Sequence, residues 1–208
     1  IRDRSPSRGV GDVYKRQGFT QQPGPSERFA GRSGPLRLLV VGGSLGARAL
    51  NEIVPQAIAL MPADQRPTVV HQSGAAQIDA LRANYAAAGV EAELTPFIDD
   101  TASAFAAADI IVCRAGASTV TEIAAVGAAS IFVPFPSAVD DHQTTNAQFL
   151  VNAGGGWLVQ QRDLTPQGLS EMLLKLERPT LVDVALKVKN MQKINATREV
   201  VTACEELA

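Results

Sequence analysis

The chain has 208 residues, 46% of them hydrophobic, which is enough to bury one sizeable core and close to the size of a single domain. A net charge of −2, with Lys and Arg scattered along the chain, supplies no basic field and argues against nucleic acid as a ligand. The two cysteines, Cys113 and Cys204, stand in no metal-ligand spacing, and no apolar run approaches the roughly 18 residues that a membrane-spanning helix needs. The expectation is therefore a reducing, cytosolic setting with at most peripheral membrane contact.

Residues 1–17, IRDRSPSRGVGDVYKRQ, are polar and rich in Arg, unlike the rest of the chain, and read as a non-native or disordered arm. The chain lacks an initiator Met and is expected to be a fragment. Residues 18–35 are dotted with Gly, Pro and Ser and read as a linker. The folded part, residues 36–208, opens with the apolar strand LRLLVVG at 36–42. Strands and helices then alternate: a helix near 46–61, strand 67–71, a helix near 74–88, strand 91–97 and a short helix near 99–107. Strand 109–113, a helix from about 118 to 126, strand 129–135, a helix near 142–152 and strand 156–160 complete the alternation. Helices near 165–176, 180–193 and 195–207 come after them. Apolar strands separated by helices predict an α/β fold: a doubly wound, Rossmann-like parallel sheet of about six strands.

Ligands of such sheets sit outside the carboxyl ends of the strands, which selects four loops. The first, GGSLGAR at 42–48, offers glycines, backbone N–H groups and the Ser44 hydroxyl to a phosphate, but lacks the Lys of a phosphate loop and the full GxGxxG pattern. A tight turn with no ligand is the rival reading. The second, TPFIDD at 95–100, runs into an N-capped helix and exposes backbone beside Phe97 and Ile98 that suits a flat base edge.

The third, CRAGASTVTE at 113–122, is the most informative. Small residues open a helix whose free N–H groups suit a diphosphate, held also by Ser118 and Thr119, and the Glu122 carboxylate can accept from both hydroxyls of a ribose. Thr119-x-x-Glu122 equally matches a capping box, in which Glu122 turns back onto its own helix, so both readings stand open. The fourth, PFPSAVDDHQTTNA at 134–147, gathers Asp140, Asp141, His142 and Gln143, suited to sugar hydroxyls; the two carboxylates also suit a divalent cation or a helix N-cap. His71, at a strand end with no evident partner, reads as structural.

Together, in this order and spacing, GGSLGAR, FIDD, CRAGASTVTE and PFPSAVDDHQTTNA closely resemble the C-terminal half of the MurG family, glycosyltransferase family 28, over roughly residues 33–208. The resemblance implies the donor-binding half of a GT-B enzyme, a hexosyltransferase that moves N-acetylglucosamine from UDP-N-acetylglucosamine to lipid I, forming lipid II for peptidoglycan. It implies that Ser44 contacts the diphosphate and that Ile98 meets uracil through its backbone. Ala117, Ser118, Thr119, Val120 and Thr121 are then expected to line the diphosphate and sugar, Glu122 to hold the ribose, and Gln143 to contact the N-acetylglucosamine hydroxyls. No metal ligand, no cofactor and no catalytic residue are expected in this chain.

The same resemblance implies that the acceptor pocket, the catalytic base and the membrane-contacting patch belong to an N-terminal half with no counterpart here. The chain alone is then expected to bind donor without transferring sugar, its partners being UDP-N-acetylglucosamine and, through the other half, lipid I at the cytoplasmic side of the inner membrane. Arg16 falls near the family's donor-binding Arg, but within the foreign-looking arm. In the last predicted helix Val200, Val201, Cys204 and Leu207 fall close to one face, expected to be loosely held or self-associating. The alternatives are another GT-B transferase with a lipid acceptor, such as a diacylglycerol glycosyltransferase, and a non-catalytic nucleotide-binding module.

Overall fold

The structure, a computed structural model, describes residues 18–43, 47–136, 141–193 and 204–205. Ser44, Asp140, the arm 1–17 with Arg16, and most of the helix expected at 195–207, including Val200, Val201 and Leu207, lie outside the described residues.

Six parallel strands form one sheet: β1 (Arg37–Val41), β2 (Thr68–Gln72), β3 (Glu93–Thr95), β4 (Ile110–Cys113), β5 (Ser130–Phe132) and β6 (Trp157–Leu158). Their order is β3-β2-β1-β4-β5-β6, so the chain winds outward from β1 in one direction, then returns to β4 and winds in the other. This is the doubly wound, Rossmann-like arrangement, with its switch point between β1 and β4. Strand β4 is apolar throughout because helices cover both faces: Ile110, Ile111, Val112 and Cys113 are all fully buried.

The described residues include helices α1 (Pro25–Phe29), α2 (Arg48–Ala59), α3 (Ile78–Ala88), α4 (Thr101–Ala107), α5 (Ala117–Val126), α6 (His142–Val151), α7 (Pro166–Leu174) and α8 (Arg178–Asn190). Helix α2 packs on α3 and α7, while α5 packs on α4, α6 and α8. Local chemistry sets their ends. Asp100 accepts the Ser103 N–H at 3.0 Å at the start of α4, and Thr165 accepts the Gly168 N–H at 3.0 Å at the start of α7. Gly127 ends α5 in the left-handed region, and a Cβ there would meet Lys189, the Ala185 carbonyl and Pro25 at 2.8–3.0 Å, so only glycine fits.

The stretch expected as a linker is instead packed into the domain. Phe19 and Phe29 are buried and meet the core, Phe19 edge-on to Phe105, and α1 lies against α8. Gly, Pro and Ser in this stretch mark turns around a short helix. The strands expected at 91–97 and 129–135 are shorter than their apolar runs. In the latter, Val133 N–H still donates to the Cys113 carbonyl at 2.8 Å, but Pro134 has no N–H to extend the ladder.

Two buried polar centres hold these layers. Asp109, fully buried just before β4, pairs with Arg32 at 2.5 Å and Arg178 at 3.0 Å, and accepts the Arg37 N–H at 3.0 Å. It thereby ties the segment after α1, the start of α8 and the first residue of β1 to one carboxylate. On the other side of the sheet, His71 is enclosed between Tyr85, whose hydroxyl is 3.0 Å from Nδ1, and Asn51, whose Oδ1 is 3.0 Å from Nε2. Asn51 Nδ2 donates to Gln77 Oε1 at 2.8 Å, which turns Oδ1 toward the ring and sets Nε2 as its donor. His71 is structural, as its isolated position in the sequence suggests, but it is fully partnered.

Removing the charge at Asp109 leaves two guanidinium groups facing a neutral amide, so Asp109→Asn should lower unfolding free energy by about 3–5 kcal/mol in urea titrations. Burial pushes the His71 pKa down from 6.5 to about 3, so the unfolded chain binds a proton between these values that the native chain excludes. Its contribution is therefore complete above pH 6.5 and lost as pH falls toward 3, at a slope approaching about 1.4 kcal/mol per pH unit. His71→Gln should be less stable at neutral pH but flatter between about pH 6 and pH 5, and parallel curves for the two proteins would contradict this.

Candidate functional site

At the carboxyl ends of β1, β2 and β4 the structure forms a cavity of about 220 Å³. Val41 and Gly43 line it from β1 and its loop, Gln72 from the end of β2, Phe97 and Ile98 from the loop after β3, Thr101 and Phe105 from α4, and Thr119 and Glu122 from α5. Three of the four loops selected in the sequence thus meet at the switch point. A larger hollow of about 370 Å³, lined by Gly34, Leu36, Gln65 and Leu174 among others, lies at the opposite end of β1, away from the helix starts.

Gly43 leaves β1 with φ +81°, and a Cβ built there meets nothing within 4 Å, so the backbone is open to close approach from the cavity. Helix α5 begins at Ala117 with Gly116 as its N-cap, and no side chain caps it. The first intrahelical bond is made by the Val120 N–H to the Gly116 carbonyl at 3.0 Å, so the N–H groups of 117–119 precede the ladder. This placement bears on the capping-box reading of Thr119-x-x-Glu122. Thr119 stands at the third helical position, not at the cap, so the pair forms no capping box, and Glu122 lies a further turn in, half-buried on the cavity wall.

The other candidates divide by exposure. Ala117, Ser118 and Thr121 are exposed, and the Thr121 hydroxyl donates to the Ala117 carbonyl at 2.8 Å. Val120 turns its side chain into the core, 5% exposed, so any role for it is one of shape beneath the helix start. Ile98 is half-buried, and Asp100 after it is held as a carboxylate below its usual range by bonds from the Ser103 hydroxyl and N–H.

Gln143 is absent from the cavity lining and lies beyond β4, on the first turn of α6. Its Oε1 accepts from the Ala115 N–H at 3.2 Å and the Phe135 N–H at 3.0 Å, joining the loops after β4 and β5 and directing Nε2 as the end of the amide able to address a hydroxyl. Asp141, the N-cap of α6, sits in the left-handed region at φ 51° and accepts from the Thr144 hydroxyl at 2.7 Å. Among the described residues no three His, Cys, Asp or Glu converge on one point.

Two residues of this region carry more than the sequence alone reveals. Arg114 donates to the Val133 and Pro134 carbonyls at 3.0 and 3.1 Å and to Gln161 Oε1 at 2.6 Å, with its guanidinium 5.5 Å from the Phe135 ring centre. Burial lowers its pKa, and the interactions clamp the loop after β5 onto β4. Gln72 bonds both glycine and proline loops of the cavity. The available signal was a polar pair, His71 and Gln72, at the carboxyl end of the strand TVVHQ. Cys113, fully buried beneath the α5 loop, has its thiol pKa pushed up by desolvation and is no nucleophile.

Residues 37–204 match the Glycosyltransferase family 28 C-terminal domain. The chain is 75% identical over 192 residues to the UDP-N-acetylglucosamine--N-acetylmuramyl-(pentapeptide) pyrophosphoryl-undecaprenol N-acetylglucosamine transferase of Paracidovorax citrulli (strain AAC00-1), covering 92% of this chain and 54% of that protein. The protein of the same name from Verminephrobacter eiseniae (strain EF01-2) is 73% identical over 202 residues, covering 97% of this chain and 56% of the relative. The crystal structure of Acinetobacter baumannii MurG superposes with a TM-score of 0.83 at 40% identity, over 90% of this chain and 55% of that one. The chain thus spans about half the length of the relatives it matches. With the doubly wound sheet, the helix-start cavity and a family match running nearly the length of the folded residues, this chain belongs to glycosyltransferase family 28, as its C-terminal domain.

Proposed function

We propose that this chain is the donor-binding half of the transferase that moves N-acetylglucosamine from UDP-N-acetylglucosamine to lipid I, forming lipid II in peptidoglycan synthesis. The observation that carries the reading is the meeting of Gly43, Ile98, Thr119 and Glu122 around one cavity at the uncapped start of α5. Uracil lies against the backbone at Ile98, the ribose hydroxyls donate to Glu122, and the diphosphate lies at the N–H groups of 117–119, with the Ser44 hydroxyl as a further diphosphate contact. Gln143 offers Nε2 to the sugar hydroxyls.

In the reaction an acceptor hydroxyl oxygen forms a bond to the anomeric carbon while the bond from that carbon to the UDP phosphate oxygen breaks. The electron pair leaves with UDP, so negative charge grows on the diphosphate. The helix start meets that charge with N–H groups and the positive end of its dipole, an interaction stronger in the transition state than in the ground state. No proton transfer is required of this half. The acceptor, and the base that takes the proton from its hydroxyl, belong to the part of the relatives' length outside the match. The same part supplies peripheral contact with the cytoplasmic face of the membrane. No helix among the described residues is long and apolar enough to cross a membrane.

Titration calorimetry tests the assignment. Glu122→Ala should weaken UDP-N-acetylglucosamine binding by about 1.5–3 kcal/mol, or roughly 10- to 150-fold. The variant should also bind UDP and 2′-deoxy-UDP alike, whereas the unmodified chain should prefer UDP; discrimination retained in the variant would remove Glu122 from the ribose. In competition against bound UDP, UDP-N-acetylglucosamine should displace better than UDP-glucose or UDP-galactose. The reverse order would point to a transferase with a different sugar and a lipid acceptor of another kind.

A further inference from the structure

Gln72 is the last residue of β2 and comes directly after His71, so the alternation of the strand turns its side chain to the opposite face, toward the cavity. It is only 4% exposed, and its amide is used at both ends. Nε2 donates to the Gly43 carbonyl at 3.2 Å and to the Pro96 carbonyl at 3.0 Å, while Oε1 accepts from the Gly43 N–H at 3.1 Å. The Gln72 carbonyl also accepts from the Gly42 N–H at 3.1 Å. Strands β1 and β3 are not neighbours, since β2 runs between them, and no ladder bond joins them. The Gln72 side chain spans that gap.

The chemistry of the position is narrow. A carboxylate cannot donate to the two carbonyls, an ammonium cannot accept from Gly43, and Asn is shorter by one methylene. The Gly43 side of the cavity faces the phosphate end of the expected ligand, and the Pro96–Ile98 side faces the base. We propose that Gln72 is a positioning residue, a strut that fixes the separation of these two loops so that one nucleoside diphosphate engages both at once. The inference rests on the donor-binding reading above.

A strut of this kind acts through preorganisation: it favours a ligand that spans both loops and gives nothing to a ligand that touches one. The experiment is a calorimetric or NMR titration of the full chain and of Gln72→Met and Gln72→Glu with UDP, uridine and inorganic pyrophosphate, with a thermal melt of each protein. In Gln72→Met the Kd for UDP should rise about 10-fold or more, while those for uridine and pyrophosphate change less than about 2-fold. In Gln72→Glu the UDP affinity relative to the unmodified chain should improve as pH is lowered, because a protonated carboxyl regains a donor; this arm stands even if Gln72→Met fails to fold. Unchanged UDP affinity in a folded variant, or equal losses for all three ligands, overturns the strut and leaves the donor reading intact. Failure of the unmodified chain to bind UDP overturns the donor reading and the strut with it.

Discussion

All six strands run in parallel, and that one constraint dictates the electrostatics of the molecule. Each strand must be succeeded by a return across a face, so α4 and α5 start at the carboxyl edge of the sheet and finish at the amino edge. Their dipoles add in the same sense. At the finishing edge the carbonyls are met by cations from outside the repeat. Arg28 donates to the Gly127 carbonyl at 2.5 Å, Arg32 to the Ala106 and Ala108 carbonyls at 2.8 and 3.2 Å, and Lys189 to the Ala125 carbonyl. Burial and the neighbouring Arg32 lower the Arg28 pKa to about 10, which still leaves it charged at neutral pH. At the starting edge of α5 no side chain caps the helix, and that is where the cavity lies.

The amino edge therefore serves stability and the carboxyl edge carries the cavity, with the sheet between them. Asp109 gathers Arg32 and Arg178 at the first edge, so the segment before β1 and the start of α8 are fastened to the same buried point. At the second edge the ties run between loops: Gln143 joins those after β4 and β5, and Arg114 holds the latter by two carbonyls. Loops built from Gly, Ala and Ser have little side-chain bulk with which to hold one another, so long polar side chains from the strand ends and α6 provide the contacts that fix them.

Much of this architecture is legible in the sequence because it depends on short-range pattern. Short apolar runs such as RLLVV and IIVC, rich in β-branched residues, fit buried strands, and the turn residues between them mark where helices start. The features that resist reading depend on contacts across the chain. Asp109 looks like the polar start of an apolar strand, and nothing local reveals that its partners stand 77 and 69 residues away. The packing of Phe19 and Phe29 is hidden by the turn-rich composition around them. Thr119 and Glu122 illustrate a third kind of gap: the spacing fits a capping box, and only the helix start at Ala117 shows that Thr119 is not the cap. Gln72 shows in the sequence only as a polar strand end, because its amide bonding requires knowing that both loops arrive at the same place.

The burial of Cys113 carries a consequence for chemical intervention. Among the described residues it is the one sulfur framing the α5 loop, yet it sits inside the sheet, with desolvation holding it as a thiol. An electrophilic warhead carried on a donor-shaped scaffold would find hydroxyls and amides around it but no accessible thiolate. For compounds aimed at this cavity, residence time is therefore set by how well they fit rather than by a bond to Cys113.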